Sequence, residues 1–223
     1  MKNSNKTFWI LAAALGALFL LLLVLLFTVD VAPIAPLGEK VGLSTLNQSV
    51  KDALGLNWSL YKIAKYTGYL ALLLAAGFAV LGLVQLIKRR SLAKVDRELW
   101  VLAGLYAAAL ACYLLFEVFV VNVRPILMPD SSAPEASFPS SHTVLAITFF
   151  GSAALLCRKY LQKKPLRICA QAALTLLLLV TTICRFLSGV HWLTDILGGI
   201  FLGASLLSLF AGFVKQAENK KAE

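Results

Sequence analysis

Six stretches of this 223-residue chain are long and apolar enough to cross a bilayer, and no other feature restricts its architecture as strongly. A hydrocarbon core about 30 Å thick requires about 20 apolar residues in helical form. The runs cover approximately residues 8–29, 63–87, 99–121, 143–160, 168–186 and 192–214. Helices satisfy their own backbone polar groups, which lipid cannot do. The expected fold is therefore all-α: a polytopic bundle of six transmembrane helices in one domain, residues 1–223, with both termini cytoplasmic. Composition agrees, with 60% hydrophobic and only 14% charged residues, against about one quarter charged in soluble domains. Lys2 and Lys6 precede the first run. At about 22 residues it exceeds the 7–15 apolar residues of a signal peptide, so it reads as a retained helix.

The net charge of +10 would suit a nucleic-acid partner, but its distribution points to a membrane instead. Fifteen of the 21 lysines and arginines fall in the segments that share a side with the N-terminus. Such an excess marks the cytoplasmic face. The other six are Lys40, Lys51, Lys62, Lys65, Arg124 and Arg185, which makes the two external arginines conspicuous. The longest external loop is 30–62; within it Asn47–Leu60 has a pattern compatible with a short interfacial helix. A plain connecting loop is the simpler expectation there. Gly68, Gly77, Gly82, Gly198, Gly199 and Gly203 are spaced to let neighbouring helices approach closely. Cys112, Cys157, Cys169 and Cys184 lie in or beside apolar runs without paired spacing, and read as small packing residues rather than a disulfide or metal set.

Polar residues in such a chain are costly and usually functional. Here they collect at the external ends of the last four spans: Glu117, Arg124 and Pro125 after the third, Ser140, Ser141 and His142 before the fourth, Arg185 at the end of the fifth, His191 and Asp195 at the start of the sixth. His191 and Asp195 are four apart and share a face on a helix. An aspartate there accepts from imidazole Nδ1–H and leaves Nε2 free as nucleophile or base. Pro139-Ser140-Ser141 is a helix-start signal with hydroxyls suited to capping. The N–H groups of a helix start favour an anion. Arginine forks match phosphate oxygens. Two arginines, a helix N-terminus, two histidines and a carboxylate describe a metal-free phosphoryl-transfer site, in which one histidine attacks phosphorus and the other protonates the leaving oxygen.

These residues resemble the type-2 phosphatidic acid phosphatase superfamily of lipid phosphate phosphatases. Its motifs, K-x6-RP, PSGH and SR-x5-H-x3-D, are similar to EVFVVNVRP, PSSH and CRFLSGVHWLTD here, in the same order between Glu117 and Asp195. The resemblance implies His191 as nucleophile forming a phosphohistidine, Asp195 as its orienting partner, and His142 as general acid and then base. It implies that Arg124, Arg185 and Ser140 hold the phosphate with help from the Ser141 amide, and that no metal or other cofactor is needed. Three positions depart from the pattern. Glu117 stands in place of a phosphate-binding lysine, open to pairing with Arg124 or Arg185 or to contacting a substrate hydroxyl. Ser141 replaces glycine and Cys184 replaces serine.

The implied activity is metal-independent hydrolysis of a lipid phosphate or diphosphate at the outer face of a bacterial plasma membrane. Undecaprenyl diphosphate is the first substrate to test; phosphatidylglycerophosphate and phosphatidic acid follow. Transfer of the phosphoryl group to another lipid would use the same histidines. A rhomboid-like intramembrane serine protease would leave both arginines without a role. A non-catalytic lipid-binding or transport protein would explain the arginines but not the His–Asp spacing.

Overall fold

The computed structural model describes residues 2–222, with side chains for 6–217. The side chains of Lys2, Lys220 and Lys221, which belong to the charge asymmetry, lie outside the described residues. Seven helices account for most of the chain: α1 (Lys2–Thr28), α2 (Ser44–Leu54), α3 (Trp58–Arg89), α4 (Arg97–Val118), α5 (Ser141–Tyr160), α6 (Lys164–Leu187) and α7 (Leu193–Ala222). All but α2 are long and apolar enough to span a membrane, which matches the six apolar runs to within a few residues. At 1.5 Å per residue, the 32 residues of α3 extend about 48 Å, so this helix projects beyond the hydrocarbon.

Helix ends are set locally. The Asn57 side chain accepts from the Leu60 amide at the start of α3, and Arg90 closes that helix in the left-handed conformation. Pro165 in the first turn of α6 has no N–H to leave unpaired.

The core is built around α5, of whose most apolar window 67% lies inside the protein, against 6% for α6. Helix α5 contacts α3, α4, α6 and α7, and it contains a π-helical stretch, Ala146–Phe150, whose five side chains are all buried. Helix α1 lies along α7, joined by Ser205 Oγ donating to the Ala12 carbonyl at 2.8 Å. Close approach at small residues is real at four of the six expected glycines. A Cβ on Gly198 would fall 2.4 Å from Phe138, on Gly199 2.8 Å from Thr143, on Gly203 3.1 Å from Ile147 and on Gly68 2.9 Å from His142. Gly77 faces open space and Gly82 meets only Leu99 at 3.9 Å, so these two do not bring helices together. The cysteines are all free; Cys157 packs inside, whereas Cys169 is exposed on α6.

The connection between α1 and α3 departs from the plain loop expected of it. Residues 44–54 form α2, and the buried Asn47 on it bonds to α7: its Nδ2 donates to Thr194 Oγ1 at 3.0 Å and its Oδ1 accepts from the Thr194 amide at 3.2 Å. An otherwise unpaired amide of the first turn of α7 is thereby satisfied by a residue 147 positions away.

At the opposite end of the bundle, Asp96 gathers the start of α4 with α3 and α5. It accepts from Arg89 at 2.9 Å, Gln85 at 3.0 Å, Tyr160 at 3.1 Å and Lys159 at 3.1 Å. Lys159 also pairs with Glu98.

Candidate active site

Between α4 and α5 the chain cannot stay helical, because Pro125, Pro129, Pro134 and Pro139 interrupt it. It forms a short ribbon instead. Val123 bridges Ala136 in antiparallel fashion, Arg124 N–H donates to the Glu135 carbonyl at 2.9 Å, and Ser137 N–H donates to the Asn122 carbonyl at 2.9 Å. Trp192, fully buried, donates its indole N–H to the Val123 carbonyl at 2.7 Å and so pins the ribbon beside His191. The ribbon carries Arg124 off the end of α4, which stops at Val118. Glu117 and Arg124 therefore do not share a helical face.

The turn from α6 to α7 is equally constrained. Gly189 has φ +70, and a Cβ there would lie 1.8 Å from the Gly55 carbonyl oxygen. Only glycine fits both the left-handed backbone and that approach. The Asn57 amide donates to the Ser188 carbonyl at 3.0 Å, so the α2–α3 connection braces this turn from outside.

His191 consequently lies in the turn before α7, not on the helix as its spacing suggested. Asp195, in the first turn of α7, reaches back to it: His191 Nδ1 stands 3.3 Å from Asp195 Oδ2. That is slightly long for an N–H···O bond, as is common before a reaction complex forms. The same Oδ2 accepts the Trp192 amide at 3.0 Å, and Asn122 Nδ2 stands 3.5 Å from Oδ1. All of these groups are buried. An acceptor on the Nδ1 side assigns that nitrogen its proton and leaves Nε2 with its lone pair. Nε2 accepts from Arg124, whose NH1 is 3.1 Å away. Burial first, and then the positive charges of Arg185 and Arg124, hold the His191 imidazolium well below its usual pKa, so the ring is neutral near pH 7.

His142 lies in the first turn of α5 with its ring against Gly68, and its Nδ1 has no hydrogen-bond partner among the described residues. His142, His191, Arg124, Ser141 and Glu117 line one cavity of about 660 Å³. Away from these residues most of its wall is apolar, formed by α3, α4 and α5 with Phe138 and Pro139 of the ribbon and Leu202 of α7.

Arg185 and Ser140 are not on that lining. Arg185, 1% exposed, stacks its guanidinium over Tyr61 with 5.1 Å to the ring centroid, and its Nε and NH1 lack partners among the described residues. A buried cation with two idle donors is costly unless an anion or polar group meets it. Ser140 does not cap α5 with its hydroxyl, contrary to the expectation for Pro-Ser-Ser. Its Oγ accepts from Thr143 Oγ1 at 3.1 Å, and its amide donates to the Asp195 carbonyl at 2.9 Å, tying the start of α5 to α7. Glu117 is exposed at the cavity and forms no ion pair with Arg124 or Arg185; Arg124 pairs instead with Glu135, Nε to Oε2 at 3.0 Å.

Sequence reasoning therefore missed Glu135, Asn122, Tyr61 and Asn47. Each is an ordinary loop or helix residue until its partner, distant in sequence, is known. The position of Glu135 in the only acidic pair of the segment between α4 and α5, with Asp130, is the one signal that was available.

Residues 98–218 match the PAP2 superfamily, just over half of the sequence, and the chain belongs to it. It is 34% identical over 100 residues to phosphatidylglycerophosphatase B of Bacillus subtilis (strain 168), an alignment covering 43% of this chain and 47% of that protein. The chain thus spans about half the length of the curated relative it matches. Its fold is similar to the crystal structure of the first transmembrane PAP2 type phosphatidylglycerolphosphate phosphatase from Bacillus subtilis. The TM-score is 0.65 at 18% identity, over 92% of this chain and 96% of that one.

Proposed function

We propose that this PAP2-superfamily chain is a lipid phosphate phosphatase that works through a phosphohistidine, without a metal, at the outer face of a bacterial plasma membrane. The observation that carries the reading is the shared cavity: two imidazoles and an arginine at one end of a space whose remaining wall suits hydrocarbon. Both Asp195 oxygens already face N–H donors, which suits an orienting role better than metal ligation. The outward orientation rests on the excess of lysine and arginine at the other end of the bundle.

His191 Nε2 attacks phosphorus, forming an N–P bond as the bond to the lipid oxygen breaks. His142 supplies the proton that this oxygen needs to leave. Water then attacks the phosphohistidine, its proton passes to His142, and the N–P bond breaks to release inorganic phosphate. Arg124, Arg185 and the amides at the start of α5 offset the charge on the equatorial oxygens. Asp195 stabilises the cationic ring of the intermediate.

The curated relative and the similar crystal structure are both named for phosphatidylglycerophosphate. That lipid therefore heads the test panel, with undecaprenyl diphosphate and phosphatidic acid beside it. Purified protein in detergent releases phosphate from at least one of the three, and His191→Ala and His142→Ala abolish release. Full activity in either variant refutes the mechanism. Product analysis with an acceptor lipid present separates hydrolysis from phosphoryl transfer, and assays on sealed vesicles of opposite sidedness test the orientation.

A further inference from the structure

Arg124 is held by three groups at once. Its Nε donates to Glu135 Oε2 at 3.0 Å, and its NH1 lies 3.1 Å from His191 Nε2 and 3.4 Å from the Val190 carbonyl. The backbone repeats the pairing, because Arg124 N–H donates to the Glu135 carbonyl across the ribbon. Glu135 side chain and backbone thus both address one arginine. A side chain as long as arginine loses much rotational freedom when fixed, and a single exposed partner would fix it poorly.

The contact with Nε2 raises a geometric question. Attack on phosphorus needs the lone pair that the structure gives to Arg124. The NH1 donor must therefore pass from His191 to a phosphate oxygen. A guanidinium tethered at Nε can do this by a small rotation about the tether, without leaving the site.

We infer that Glu135 is a positioning residue: its carboxylate tethers Arg124 Nε so that the outer donors of the guanidinium serve the His191 lone pair and the phosphate in turn. Glu135 itself touches neither reacting atom. This rests on the phosphatase reading, but its structural half is separable from it. The place of Arg124 can be read without turnover.

The direct test is ¹⁵N NMR of protein labelled at histidine, where two residues give two imidazole spin systems. Loss of the Arg124 donor in Arg124→Ala shifts the His191 Nε2 resonance toward that of a free imine nitrogen. Glu135→Gln is expected to shift it in the same direction by at least about half as much, and Glu135→Asp by less. An unmoved His191 resonance in Glu135→Gln overturns the inference, whether or not the protein is a phosphatase.

The kinetic arm uses the best substrate of the panel. Glu135→Gln is expected to lower kcat/KM about tenfold, mostly through KM. The double variant Glu135→Gln/Arg124→Ala is no worse than Arg124→Ala alone. Additive losses, or higher activity in Glu135→Gln because a carboxylate was repelling phosphate, would each contradict the tether. If wild type releases no phosphate while the resonance shifts as described, the phosphatase reading fails and the tether stands.

Discussion

Replacing Asp195 by asparagine isolates one charge with little change of shape. Asp195 Oδ2 accepts from His191 Nδ1 at 3.3 Å and from the Trp192 amide at 3.0 Å, so the amide oxygen of the variant belongs there. Its NH2 then faces Asn122 Nδ2, donor against donor. Asn122 Oδ1 has no partner among the described residues, however, and rotating that amide by half a turn offers the oxygen instead. Hydrogen bonds are conserved, and the folded state is expected to lose no more than about 3 °C in Tm. The negative charge is what disappears. Two opposite unit charges about 4 Å apart attract by about 4 kcal/mol at an effective dielectric constant near 20. The neutral hydrogen bond that remains returns about 1 kcal/mol. The net loss of about 3 kcal/mol falls on the cationic phosphoimidazole and its transition state, and corresponds to about 150-fold in kcat. KM should change little, since Asp195 does not line the cavity. Initial rates of phosphate release in detergent micelles, with Tm recorded on the same preparations, measure both quantities. A kcat within about threefold of wild type would mean that the charge at 195 is not used in the chemistry.

Three further perturbations address the supports of this site. His191, neutral because burial and two arginines disfavour its cation, is expected to show no titration by histidine NMR as pH falls from 7.5 through 6.5. Because its native pKa is depressed, the unfolded chain takes up the proton first; stability is fully present above pH 6.5 and falls below it, more steeply in wild type than in His191→Gln. Gly189→Ala combines a left-handed backbone with a Cβ placed 1.8 Å from the Gly55 oxygen; it should cost at least about 2 kcal/mol and lower kcat, and an unchanged Tm would contradict the turn geometry. At the far end of the bundle, burial works against ionisation of Asp96, but bonds from Arg89, Gln85 and Lys159 outweigh it and hold its pKa below the usual carboxylate range. Its contribution is thus present above the ordinary value and is lost as pH drops through the native one. Asp96→Asn should remove about 1–2 kcal/mol of stability, read as Tm, and leave kcat unchanged.

The sequence alone determined the number and order of the spans, because bilayer thickness sets a length that six apolar runs meet independently of their neighbours. It also placed the polar residues at one end of the bundle, since alternating passage through the membrane returns the ends of successive spans to the same side. Local spacing was a weaker guide where the chain left the helix. His191 pairs with Asp195 from a turn, Arg124 is carried on a ribbon beyond α4, and Ser140 braces α7 rather than capping α5.

Tertiary structure alone decided which partner each of those groups meets. Asn47 satisfies an amide 147 residues away, Asn122 faces Asp195 from 73 away, and Arg124 takes Glu135 rather than Glu117. Hydropathy is a property of each residue and can be read one position at a time. The alignment of hydrogen-bonding atoms is a property of pairs, and it exists only once packing has fixed the distance and direction between them.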